Sequence, residues 1–70
     1  MNKKATRLSM TESNYAYANA MYKHTKDPKH RNLKDNLEVA LLEAGYDEID
    51  MDLLEDRSNI LLKTIKNRQT

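Results

Sequence analysis

The segment Lys3-Lys4-Ala5-Thr6-Arg7-Leu8-Ser9-Met10-Thr11-Glu12-Ser13 opens a 70-residue chain. It is either a tail in front of helices or the one β-strand of the fold. Between residues 5 and 10 the side chains alternate, with threonine, leucine and methionine on one side and alanine, arginine and serine on the other. This period of two is typical of a β-strand that has one inward face. No other segment shows it, and a lone strand leaves its backbone groups unpaired. We therefore predict that residues 4–10 form a strand that pairs with the same segment of a second copy.

Two helices are predicted after this strand, separated by turn signals. Helix A covers residues 11–25 and must end there, because the residue before Pro28 avoids the α region. Helix B covers residues 33–44, between Asn32, a suitable N-cap, and Gly45, the one glycine, which is well placed to end a helix. Helix B has the widest apolar stripe of the chain, so we expect it to pack on more than one side.

A third helix, helix C, is predicted over residues 51–67, with Asp50 as its N-cap. Acids fill its first turns and basic residues its last, as the helix dipole prefers. The predicted fold is therefore one domain, residues 1–70, mostly α-helical with a single N-terminal strand.

Composition restricts the classes of function. The chain has no cysteine, which excludes disulfides, thiolate metal sites and a cysteine nucleophile. The longest apolar run is only four residues, 39–42, so we expect a cytoplasmic protein without a membrane partner. A chain this short buries little surface alone, and oligomerisation is a common remedy.

The net charge of +1 conceals a strong segregation of charge along the chain. Residues 1–31 carry seven cations against two acids, a net of +5, and residues 32–57 carry two cations against nine acids, a net of −7. The remaining residues, 58–70, add three cations. Charged polar faces of helices would explain this pattern, and so would a basic face for a polyanion with an acidic face pointing elsewhere; composition alone does not separate the two.

A basic strand followed by two helices resembles the ribbon-helix-helix (Arc/MetJ-like) DNA-binding family, over about residues 3–45. Arg31-Asn32-Leu33-Lys34-Asp35, with Leu37 and Leu41-Leu42 after it, is similar to the start and core face of that family's second helix. The resemblance implies a homodimer whose two strands form an antiparallel ribbon in the major groove of double-stranded DNA. Helix C would be an addition to the family core.

The resemblance also implies which residues would act. The outward strand residues Ala5, Arg7 and Ser9 would face base edges, with Arg7 the best suited to specify sequence by bidentate bonds to guanine. Phosphates would be contacted by Lys3, Lys4, Lys29, Arg31, Asn32, Leu33 and Lys34, through their charges and the free N–H groups of helix B. The dimer core would contain Leu8, Met10, Tyr17, Met21, Leu37 and Leu41. The expected function is repression of a small plasmid or phage operon, or an accessory role in conjugation or partition.

A different class of function remains open from the sequence. The chain would then be a small helical inhibitor or adaptor, with residues 1–10 disordered and helices B and C forming the surface for a partner protein. An enzyme is not expected, because there is no phosphate-cradling glycine loop and no plausible Ser-His-Asp set. We expect no cofactor and no metal, since His24 and His30 flank a proline loop without a ligand motif. The acids around residue 50 are best explained as a solvated helix start.

Overall fold

Three helices joined by two short turns make up the described part of the protein. The structure, a computed structural model, describes the backbone of residues 3–68 and the side chains of residues 10–68. The helices are α1 (Lys3–Thr25), α2 (Pro28–Glu43) and α3 (Glu48–Arg68). Residues 3–68 contain no strand.

The predicted strand over residues 4–10 is wrong, because α1 already begins at Lys3 and continues through Met10. The ribbon-helix-helix fold is therefore not the fold of this chain. Lysine, alanine, arginine, leucine and methionine are all strong helix formers, and they dominate this segment. A helix also pairs its own backbone groups, whereas a strand here would need a ladder from another chain. Because α1 begins at Lys3, residues 3–10 do not match the disordered tail of the alternative interpretation either.

The start of α2 lies five residues before the predicted one. Asp27 is its N-cap and accepts a 2.9 Å hydrogen bond from the N–H of Lys29, while Pro28 occupies the first turn. Proline is favoured there because its missing N–H would have no helical partner and its φ is already helical. The same proline that ends helix formation after Thr25 thus begins the next helix.

A pair of reciprocal hydrogen bonds caps α3. The N–H of Asp50 donates to Asp47 (2.9 Å), and the N–H of Asp47 donates to Asp50 (3.0 Å). This arrangement is a capping box, and it moves the N-cap from the predicted Asp50 to Asp47. The N–H of Asp50 lowers the pKa of the Asp47 carboxyl by bonding to its charged form.

The long helix α1 is the centre of the fold, since both α2 and α3 pack against it. Residues 26 and 27 form the turn that reverses the chain from α1 into α2, which makes these helices antiparallel. Contacts of Asn19 with Glu55 and of Lys23 with Asn59, both 36 residues apart, show that α3 runs parallel to α1. The end of α3 therefore reaches the end of the molecule where α1 stops and α2 starts.

Small side chains on α1 make this double packing possible. Ala16, Ala18 and Ala20 are all buried, which lets neighbouring helices approach closely. Tyr15 joins Leu41 of α2 and Leu54 of α3 in the core. Leu37, Tyr46 and Met51 pack around this cluster. Burial raises the pKa of the Tyr15 hydroxyl, and the nearby carboxylate of Glu38 acts in the same direction.

Candidate functional site

Six exposed cations gather at one end of the molecule, which we call the basic end. They come from the α1–α2 turn, the first turn of α2 and the last turns of α3: Lys26, Lys29, Arg31, Lys63, Lys66 and Arg68. The parallel course of α3 beside α1 brings these groups together, since Asn59 is already level with Lys23 near the end of α1. In residues 24–33 and 60–68, which form this end, the only acid is Asp27.

Acids collect at the opposite end, around the turn between α2 and α3. They are Glu12, Glu43, Asp47, Glu48, Asp50 and Asp52. The Tyr46 hydroxyl donates a 2.5 Å hydrogen bond to Glu12, which fixes this turn against α1. Partial burial and the Glu12 carboxylate raise the pKa of Tyr46 to about 12, because both disfavour a phenolate.

Two other lysines of the described region are engaged in ion pairs. Lys23 pairs with Glu55, whose pKa is lowered first by this bond and further by the amide of Asn19. Lys34 forms a 3.0 Å ion pair with Asp35. These two lysines are thus partly neutralised within the protein, unlike the exposed cations of the basic end.

The predicted phosphate site at the start of helix B is not arranged as the sequence suggested. Asn32, Leu33 and Lys34 lie beyond the first turn of α2, where each N–H bonds to a carbonyl four residues earlier. The true N-terminus of α2 is capped by the Asp27 carboxylate, which would repel a phosphate there. Lys29 and Arg31 remain exposed and belong to the basic end.

The predicted base-contacting residues are not near this site. Ala5, Arg7 and Ser9, like Lys3 and Lys4, lie in the first turns of α1, and their side chains fall outside the described ones. Position 7 and Thr25 are separated by about 27 Å along the helix, at 1.5 Å per residue. The N-terminal cations and the basic end are therefore at opposite ends of α1.

The residues predicted for a dimer core have several different environments. Leu41 is fully buried inside the single chain and Leu37 packs beside it. Met10 and Tyr17 are largely exposed, Met21 is half-buried, and the side chain of Leu8 lies outside the described ones. This set therefore does not form one surface.

Sequence reasoning missed Lys63, Lys66 and Arg68 as candidate binding residues, although it recorded their charge. Their sequence distance from Lys29 is large, and only the direction of α3 shows that they share an end with it. The structure also places Tyr15 in the core, and Tyr15 was not among the core residues predicted from the sequence.

Among the described residues, no group of three or more histidine, cysteine or carboxylate side chains is arranged to hold a metal ion. Over the same part of the chain, no helix combines the length and apolar character needed to cross a membrane. Comparisons with protein families, curated proteins and solved structures found no match to this chain.

Proposed function

We propose that this protein binds double-stranded DNA through its basic end, by contacts with backbone phosphates. The observation that carries the proposal is the clustering of six exposed cations from the α1–α2 turn, α2 and α3 around a single acid. A charge distribution of this kind attracts a polyanion and releases its counterions on binding. The ribbon has no part in this proposal.

The topology of the fold supports this reading of the charge segregation. The helix dipole alone favours acids at the start of a helix and cations at its end, as α3 has them, whereas α2 has Lys29 and Arg31 in its first turn and Glu43 at its end. The acidic end and the basic end thus lie apart, so a duplex can approach the basic end without meeting the acids of the other end. Base specificity and repression of a small operon stay predictions from the sequence.

The test measures binding to a mixed-sequence duplex by fluorescence anisotropy at a series of salt concentrations. If all six cations contact phosphates, log affinity falls with log salt with a slope of about −5, at roughly 0.9 per contact. Substituting Lys29, Arg31 and Lys66 by glutamine should reduce this slope by about half. Circular dichroism verifies that the variant is still helical, which is expected because all three side chains are exposed.

A matched control removes the same charge from the other end of α1. The variant with glutamine at Lys3, Lys4 and Arg7 has the same net charge as the test variant, so it should keep most of the slope. Equal losses in the two variants would assign binding to net charge or to the N-terminal turns and overturn the proposal. Absence of DNA binding by the native chain at low salt would overturn it as well.

A second candidate function is binding to another protein, and a separate observation favours it. Val39 and Leu42 on α2 and Ile49, Leu53 and Ile60 on α3 are about half or more exposed. Val39 with Leu42, and Ile49 with Leu53, are neighbours on their helices, and contiguous exposed apolar side chains are typical of a surface that meets a partner. A chain that fails to bind DNA at low salt but forms a protein complex through these residues would belong to this class.

A further inference from the structure

The outer face of α3 carries a line of exposed aliphatic side chains. Ile49, Leu53 and Ile60 are 70%, 63% and 65% exposed. They are spaced four and seven residues apart, about one and two helical turns, and so lie on one side of the helix. Leu54 and Ser58 on the opposite side are buried against the rest of the protein. We call Ile49, Leu53 and Ile60 the α3 stripe.

The charges along α3 indicate what fits this stripe. Its first half contains five acids, at positions 48, 50, 52, 55 and 56, and no cation. Its second half contains four cations, at positions 57, 63, 66 and 68, and no acid. A helix with this polarity complements an identical helix that runs in the opposite direction, and repels one that runs in the same direction.

We propose that the α3 stripe binds the α3 stripe of a second copy of this chain, with the two helices antiparallel about a two-fold axis. Ile49 of one copy then faces Ile60 of the other, and Leu53 lies next to the axis. This pairing follows from the spacing, because the midpoint between residues 49 and 60 is within two residues of Leu53. The proposal stands on α3 alone and does not depend on DNA binding.

The borders of the stripe support this register. With Ile49 opposite Ile60, Lys63 of one copy is nearly level with Glu48 of the other, on the same border of the stripe. Arg57 is likewise nearly level with Asp50 on the other border. Each contact occurs twice because of the two-fold symmetry. A parallel pairing would instead bring the two acidic halves of α3 together and the two basic halves together.

The interface is short, which sets the expected strength of the dimer. Asp56 interrupts the stripe between Leu53 and Ile60, so only three aliphatic side chains per copy are covered. The dimer should therefore be reversible and visible only over a range of protein concentration. Raising the salt concentration should weaken it, since the border contacts are exposed ion pairs.

Sedimentation equilibrium of the full chain without DNA tests the surface, from about 1 µM to about 1 mM protein, the range of weak reversible complexes. The native chain should dimerise, and a variant with Leu53→Glu and Ile60→Glu should stay monomeric. The control is Val39→Glu with Leu42→Glu, which adds the same charge to exposed aliphatic positions of α2 and should leave the dimer intact. A monomeric native chain at the highest concentration, or equal loss in both variants, would overturn the proposal.

Disulfide formation tests the relative direction of the two α3 helices. Because the native chain has no cysteine, only the introduced cysteines can form disulfides. Ile49→Cys and Ile60→Cys variants are prepared separately, mixed and oxidised. The antiparallel register brings unlike cysteines together, whereas like cysteines are about 16 Å apart at 1.5 Å per residue, too far to bridge. A mixed disulfide in excess over the two symmetric ones is therefore expected. An excess of symmetric disulfides would show parallel helices and overturn the antiparallel arrangement.

Discussion

Glu55 on α3 and Lys23 on α1 form an ion pair across the contact between their helices. The Asn19 amide donates a 2.8 Å hydrogen bond to the same carboxylate, and Lys23 also donates to Asn59 at 2.8 Å. These bonds join residues that are 36 positions apart in two cases, so they hold one register of α3 along α1. The position of the basic end depends on that register.

The ion pair predicts a specific acid dependence of stability. Lys23 lowers the pKa of Glu55 below its ordinary 4.5, so the folded state gains stability above pH 4.5 that is lost as pH falls through the lower folded value. Glu55→Gln should reduce this loss by about 0.5 kcal/mol or less, because the Glu55 side chain is 45% exposed and water screens the pair. Urea unfolding at pH 6 and pH 3 measures it, with Glu43→Gln as an exposed control. An unchanged pH dependence in Glu55→Gln would contradict the prediction.

An alkaline dependence is expected from the bond between Tyr46 and Glu12. Burial and the Glu12 carboxylate raise the pKa of Tyr46 to about 12, above the ordinary 10.0. The resulting stability is fully present below pH 10 and is lost as pH rises towards 12. Thermal unfolding at pH 9 and pH 11 should therefore show a smaller drop for Tyr46→Phe than for the native chain. Tyr17→Phe, at an exposed position, should behave like the native chain.

The close packing of α1 predicts that its alanines cannot be enlarged. Ala20 is completely buried, and leucine at this position would force the helices apart, at a cost of about 1–3 kcal/mol in the free energy of unfolding. The same change at Ala40, which is exposed on α2, should cost little because leucine is a good helix former. Chemical denaturation of the two variants compares them directly. Similar stabilities would mean that α1 is not tightly enclosed.

The two turns contain residues with positive φ and give opposite predictions. Gly45 has φ of 102°, so alanine there should destabilise the fold by about 1–2 kcal/mol, since a Cβ is unfavourable in that region. Lys26 has φ of 62°, and Lys26→Gly should stabilise by up to about 1 kcal/mol. Both effects are measured as shifts of the denaturation midpoint. A loss of stability in Lys26→Gly would show that the Lys26 side chain, which lies 5.8 Å above the Tyr22 ring, matters more than its backbone.

The helical parts of the fold were largely predictable, and the N-terminal segment was not. Pro28 and Gly45 marked both turns correctly, because their backbone restrictions act locally. The strand was wrong because six alternating residues fit a period of two by chance as easily as by design. Their helix propensity, and the continuity with the helix after Thr11, were the better signals.

The candidate site was predictable in its charge but not in its geometry. The sequence identified Lys29 and Arg31 as cations for a polyanion, and the structure leaves both exposed. It could not bring Lys66 to the same end, since no local pattern tells whether α3 runs parallel or antiparallel to α1. The buried face of α1 was likewise misjudged towards Tyr17, because apart from Tyr15 it consists of small alanines and Asn19, which carry little hydrophobic signal.

The charges of α2 and α3 give this nearly neutral molecule an electric dipole directed from the acidic end to the basic end, which the N-terminal cations of α1 partly oppose. At physiological salt, charges are screened beyond about 8 Å, so a net charge of +1 hardly draws the protein towards a distant polyanion. At closer range the dipole exerts a torque that turns the basic end forward. The charge arrangement therefore acts on the orientation of an encounter more than on its frequency.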